Sequence, residues 1–219
     1  MGERTLTQLV FILLFLRTIS HAVSLNSNSE IAQSNFSNQI PTTNNLFGDQ
    51  DVMNSKVIGD VIDMAKPTAD LMVQYYGNRQ VRNGEELRPQ EVVVRPYVAF
   101  SVRNPPHHSL FTLVCVLYFR FSFKHGKASN NDIECYISRL VINIPEGMDP
   151  SRGMAVVPYL SPMPVSGIHR YVFMLFRQRG PIAIPSPLLQ VRVGFNTRQF
   201  AAQHGLGLPV AAVHFTSHM

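Results

Sequence analysis

Proline and glycine interrupt this sequence more often than a helical bundle tolerates. Fifteen prolines and thirteen glycines are spread through 219 residues. Proline withholds a backbone donor and glycine permits turn conformations closed to other residues, so the chain must change direction many times. Short apolar runs between many turns make strands, and the expected class is β-rich. The chain is long enough for one domain with a full core, plus a tail.

The first 55 residues stand apart in composition. Arg4 precedes the apolar run at residues 9–16, and Ser20-His21-Ala22 follows with small residues where a signal peptidase would cut. That pattern reads as a signal-like segment over residues 1–22, and an eight-residue run is too short to span a bilayer. Residues 23–55 are rich in Asn, Ser, Gln and Thr. They hold too little apolar surface to offset their ordering entropy, so a disordered polar tail is expected. Asn35-Phe36-Ser37 is a glycosylation sequon that matters only if the chain is exported.

Order is expected from Lys56. Residues 57–64 read as a helical turn or strand lead-in. Residues 71–76, Val92-Val93-Val94, 97–100, 110–114 and 140–144 read as strands, with Asn83-Gly84 as a turn. Residues 171–176 are near-continuously apolar, as in a strand buried on both faces. Asn196 or Thr197 can cap a short helix ending near Gln203, and residues 208–215 make a last strand. Several strands with two short helices suggest a β-sandwich.

Charge and cysteine usage remove several functions. Residues 1–55 carry two basic and four acidic groups; subtracting these from 19 and 14 leaves seventeen against ten, or +7, for the rest. No Lys/Arg run, zinc-type spacing or RNA-binding aromatic signature accompanies that charge, so direct nucleic-acid reading is not expected. Cys115 and Cys135 are the two cysteines and read as reduced thiols, with no metal and no cofactor implied. No nucleophile elbow, phosphate loop or pair of catalytic carboxylates appears, so no enzyme is expected.

Five motifs in order carry a resemblance. They are Val57-Ile58-Gly59-Asp60-Val61; Asn83-Gly84 with Leu87 and Pro89; Gly167-Ile168-His169-Arg170-Tyr171; Phe195-Asn196-Thr197-Arg198; and Leu206-Gly207-Leu208-Pro209-Val210-Ala211-Ala212. In order and spacing the chain resembles the plant phosphatidylethanolamine-binding protein family over residues 56–114 and 140–215. Asp149-Pro150-Ser151-Arg152-Gly153 is similar to its mother-of-flowering-locus-T branch. The resemblance implies a mainly β fold, an antiparallel β-sandwich of a large and a smaller sheet with a few short peripheral helices. It places a phosphatidylethanolamine-binding-like domain at 56–215 and implies a small surface pocket for phosphate-like anions. His169 would donate to an anion oxygen, Gly167 would border it, and Arg170 would add a fork of donors if it faces inward.

One block does not fit. After Leu113-Val114 the family continues with Asp-Pro-Asp-x-Pro and a His-Trp pair. Here residues 115–139 replace them, and the protein has no tryptophan. Within this atypical insert Leu117, Phe119, Phe121 and Phe123 alternate with Tyr118, Arg120, Ser122 and Lys124, a half-buried strand pattern. The abrupt joins suggest a replaced exon, with a row of aromatics left partly exposed.

The expected function is therefore a non-enzymatic signalling adaptor that regulates plant development, seed germination or hormone response through protein partners. The competing readings are an anion or phospholipid-headgroup binder of weak affinity, and a peptidase or kinase inhibitor. Partners would be transcription factors or phosphopeptide-binding scaffolds. For the scaffolds, the family's two arginines, proline and phenylalanine align with His108, Pro181, Pro145 and Arg152, so Pro145 alone is kept. The resemblance implies cytoplasm and nucleus; the signal-like start implies secretion instead.

Overall fold

The structure is a computed structural model that describes residues 64, 66–105, 108–120, 133–161, 168–184 and 192–218. The signal-like segment at 1–22, the polar tail at 23–55, the sequon at Asn35, all of the 57–64 lead-in except Met64, and Phe121, Phe123 and Gly167 lie outside these residues. Among the described residues the strands are β1 (Ala69–Tyr75), β2 (Arg79–Gln80), β3 (Glu85–Glu86), β4 (Tyr97–Val102), β5 (Leu110–Arg120), β6 (Ile133–Pro145), β7 (Met154–Val157), β8 (Ile168–Gln178) and β9 (Ala211–His218), and the α-helix, α1, is Thr197–Gln203. They form a three-stranded sheet ordered β2-β1-β4 and a six-stranded sheet ordered β3-β9-β8-β5-β6-β7. Pairing is antiparallel except between β3 and β9. The expected sandwich of a large and a small sheet is what the chain builds.

The large sheet is covered on both faces. Successive residues of a strand point to opposite sides, so β8 divides its apolar run between two cores. Tyr171, Phe173 and Leu175 join Leu113, Cys115 and Leu117 of β5 and Leu71, Val73 and Val98 of the small sheet. Val172, Met174 and Phe176 face the other way, with Val114 and Val116, beneath Phe200 and Ala201 of α1. At the centre of the inter-sheet core Phe215 is fully buried. Its ring stacks on Tyr171 at 4.6 Å and 7°, and Tyr75 meets it edge-on at 5.9 Å and 87°. Such contacts add to the area each ring removes from water.

Local chemistry fixes the connections. Gly84 takes φ of +77°, the left-handed conformation that the Asn83-Gly84 turn requires. Asn196 caps α1 by accepting from Gln199 N at 2.9 Å. The Asp149-Pro150-Ser151-Arg152-Gly153 segment is a 3-10 turn over Pro150–Arg152, in which Asp149 accepts from Ser151 N at 2.7 Å. A Cβ on Gly153 would lie 2.7 Å from both Ile142 O and the Ile144 side chain, so only glycine lets this turn press on β6.

Two expectations are corrected. Val92 ends a 3-10 turn over Pro89–Val92 instead of opening a strand, because Pro89 starts that turn and the Glu91 carboxylate closes back on Arg88 N at 2.8 Å. The last strand begins at Ala211, after Pro209 has withheld its donor. Residues 115–117 are buried on both faces of the sheet, Cys115, Val116 and Leu117 each at most 1% exposed; from Leu117 on, the expected alternation starts with Leu117 buried and Tyr118 partly buried. The first part of the atypical insert is central strand, continuous with β5 through Arg120.

This packing assigns Phe215 a large share of the stability. Phe215→Ala should cost about 3–5 kcal/mol, the usual range for a buried phenylalanine. Leu208→Ala, at a side chain 50% exposed, should stay within about 0.5 kcal/mol. Urea unfolding monitored by circular dichroism measures both.

Candidate functional site

The Gly167-Ile168-His169-Arg170 motif enters the structure at the start of β8. Pairing sets His169 between Ser217 of β9 and Phe119 of β5, and Arg170 between Thr216 and Tyr118. Being adjacent in a strand, the two side chains project to opposite faces. His169 is 7% exposed and shares the inter-sheet face with Tyr171. Arg170 lies on the α1 face with His214, whose protonation its charge opposes. The structure therefore does not bring His169 and Arg170 to one point.

The inter-sheet face beyond His169 is a layer of hydroxyls. Tyr75 Oη and Tyr159 Oη lie 3.5 Å apart, while Tyr159 Oη and Ser161 Oγ both donate to Val92 O, at 3.1 and 2.9 Å. Burial pushes Tyr159 and the Cys115 thiol up to about 12, and raises Tyr75 and Tyr171 as well. All of these stay protonated at neutral pH, so the layer offers dipoles and no anionic nucleophile. Its charge comes from Arg139, 6% exposed, whose guanidinium burial pulls down while Cys115, Tyr159 and Asp149 favour it and Arg95 opposes it. Leu117 extends the same face, apolar, in the stretch where the resemblance calls for an acidic block. Among the described residues no three His, Cys, Asp or Glu side chains gather as a metal ion would need.

Pro145 stands at the other end of the sheet. Leu110 of β5 pairs with both Pro145 and Gln178, whereas Phe119 pairs with His169. Nine residues of strand, about 30 Å, separate the two ends. Sequence reasoning missed what organises the Pro145 end. Gln178 Oε1 accepts from Thr112 Oγ1 at 2.9 Å and Asn143 N at 2.8 Å, and its Nε2 donates to Asn143 Oδ1 at 2.7 Å and Gly180 O at 2.9 Å. Asn143, at φ of +56°, then donates to Ile182 O and accepts from Ile182 N. This clamp holds the Pro181 loop against β6. A polar Gln closing an apolar strand and an Asn inside another were the available signals.

No protein-family model matches the chain. It is 37% identical over 167 residues to Protein MOTHER of FT and TFL1 homolog 2 of Oryza sativa subsp. japonica, covering 74% of this chain and 88% of that protein. It is 40% identical over 162 residues to Protein TERMINAL FLOWER 1 of Arabidopsis thaliana and 39% over 161 to Protein FLOWERING LOCUS T of the same plant, covering 74% of this chain and 86% of each. Among solved structures it is similar to a carboxypeptidase Y inhibitor complexed with its cognate proteinase, with TM-score 0.61, 20% identity and coverage of 78% and 94%. A phosphatidylethanolamine-binding protein from Plasmodium vivax gives TM-score 0.57, 18% identity and coverage of 78% and 96%. At those identities the solved structures show the fold alone.

His214 makes the sheet sensitive to acid. Its backbone N donates to Asn83 Oδ1 at 3.0 Å, its O accepts from Gly84 N at 2.9 Å, and its ring is 5% exposed. Burial, then the Arg170 charge, lowers its pKa from 6.5 to about 4. Between those values the unfolded chain binds more protons than the folded one, so stability is complete above the window and is lost as pH falls through it. The stability difference between the protein and a His214→Gln variant should shrink from pH 7 to pH 4, measured by urea unfolding across that range. A constant difference would remove His214 from the acid response.

Proposed function

The chain belongs to the plant phosphatidylethanolamine-binding protein family, and on that premise we propose that it is a non-enzymatic signalling adaptor regulating development through protein partners. The observation that carries this reading is the likeness at 37–40% identity across 86–88% of relatives named for flowering regulators. Asp149-Pro150-Ser151-Arg152-Gly153, folded as the capped turn beside β6, supports the mother-of-flowering-locus-T branch and with it a role in seed germination or abscisic acid response. We take residues 56–215 as the domain that performs this function.

Within that domain we assign partner contact to the Pro145 end. His108 at φ of +62°, Pro145 and the clamped Pro181 loop lie there, and Arg152 follows on the adjoining turn. Partners would be transcription factors; with only Pro145 kept of the four scaffold-binding residues, phosphopeptide-binding scaffolds are the weaker choice. No helix among the described residues is long and apolar enough to cross a membrane, and we place the protein in cytoplasm and nucleus. The headgroup-binding reading would use His169 and Gly167, with Arg170 turned away and Leu117 in place of an acid. Protonated tyrosines and a thiol at about 12 support the non-enzymatic reading.

Two measurements separate these readings. A purified transcription-factor partner captured on the full chain should be retained by His169→Ala and lost at least tenfold by Pro145→Arg. Calorimetry with phosphate and short-chain phosphatidylethanolamine should give nothing tighter than about 1 mM, roughly −4 kcal/mol. Micromolar headgroup binding abolished by His169→Ala, with no capture, would overturn the adaptor reading.

A further inference from the structure

A groove of about 420 Å³ opens on the α1 face of the large sheet, between the end of β8, α1 and the loop at 205–209. Its floor is Phe176 and Ala201, both members of the outer core. Its rim is Leu208, 50% exposed, and Arg179 and Arg198 supply charge, with no carboxylate among the described lining residues. Gly205 and Gly207, at φ of +61° and +68°, would meet nothing within 4 Å if they carried a Cβ, so this wall is open.

The walls are fixed to the sheet before anything binds. Val210 N donates to Leu175 O at 2.8 Å, Leu206 N to Ala201 O at 2.9 Å and Gly205 N to Ala202 O at 3.3 Å. Loop, helix and strand therefore share one frame, and little ordering is lost on binding. The size is that of a side-chain or small-ligand pocket. Arg179 follows Gln178 directly, so the groove adjoins the clamp that holds the Pro181 loop.

We infer that this groove is a docking site for an acidic peptide segment of a partner, with one large apolar side chain seated on Phe176 and Ala201 and flanking carboxylates set against Arg179 and Arg198. The charge of the lining selects the acidic partner, and the half-exposed Leu208 rim closes over the anchor. This rests on the adaptor reading, since it names the chemistry of a partner for the same end of the molecule.

The test uses the full chain and three fluorescein-labelled peptides: Gly-Asp-Asp-Leu-Asp-Asp-Gly, the same peptide with Lys for Asp, and the acidic peptide with Gly for Leu. Fluorescence anisotropy should show the acidic leucine peptide binding at least tenfold tighter than either control. Arg179→Glu and Leu208→Asp, both at exposed positions, should each weaken it at least fivefold with unchanged circular dichroism, and 0.5 M salt should weaken it further. Equal binding of the three peptides, indifference to both substitutions, preferential binding to phosphatidylserine vesicles, or a concentration-dependent dimer disrupted by the same substitutions would each overturn it. If Pro145→Arg abolishes transcription-factor capture while Arg179→Glu and Leu208→Asp leave it intact and the peptides do not bind, the groove proposal fails and the adaptor reading stands.

Discussion

A sheet buried on both faces leaves its central strands no place for a charge along their middle. In β8 and β5 that rule holds from Leu113 to Leu117 and from Tyr171 to Phe176, where every side chain is at most 2% exposed. In these two strands the charged groups lie at the ends, whereas β6 buries Arg139 at its middle, opposite Cys115. His169 and Arg170 lie at one end, and Gln178 and Arg177 at the other. The fold thus separates a candidate ligand end from a candidate partner end by the length of one strand.

Much of this was legible in the sequence. The apolar run at 171–176 announced a two-faced strand because no single alternation fits six consecutive large apolar residues. Asn196 announced α1 because a short amide is the natural N-cap. The Val92 triplet misled because β-branched residues favour strands only weakly, and Pro89 with Glu91 organised the chain locally instead. The alternation from Leu117 starts as expected, with Leu117 buried and Tyr118 partly buried, but it gave no sign that Cys115 and Val116 just before it are buried on both faces. The separation of His169 from Arg170 could have been read from the strand itself, since neighbours in a strand cannot share a face. The clamp of Gln178 on Asn143 and the burial of Arg139 depend on tertiary register, for which no local pattern stands.

The atypical insert now has a physical reading in part. Its opening residues are sheet, and its closing residues 135–139 return in β6 with Tyr136 and Ile137 buried. A segment that loses the family's acidic motif can still complete the hydrophobic sheet, because a strand asks only for apolar side chains of suitable size. Completing an anion pocket asks for specific charges at specific points, and Leu117 supplies none. A scaffold kept without that acidic block fits the adaptor reading proposed above better than a carrier's.

The central claim is that residues 115–117 and 135–139 of this segment belong to the cooperative core. Native-state hydrogen exchange read by mass spectrometry or NMR tests it directly, since amides that open only with global unfolding share one protection free energy. The account expects Val116, Leu117 and Ile137 to exchange with the same protection as Val172 and Met174 of β8. Protection that stops at Val114, with residues 115–117 exchanging orders of magnitude faster, would contradict it.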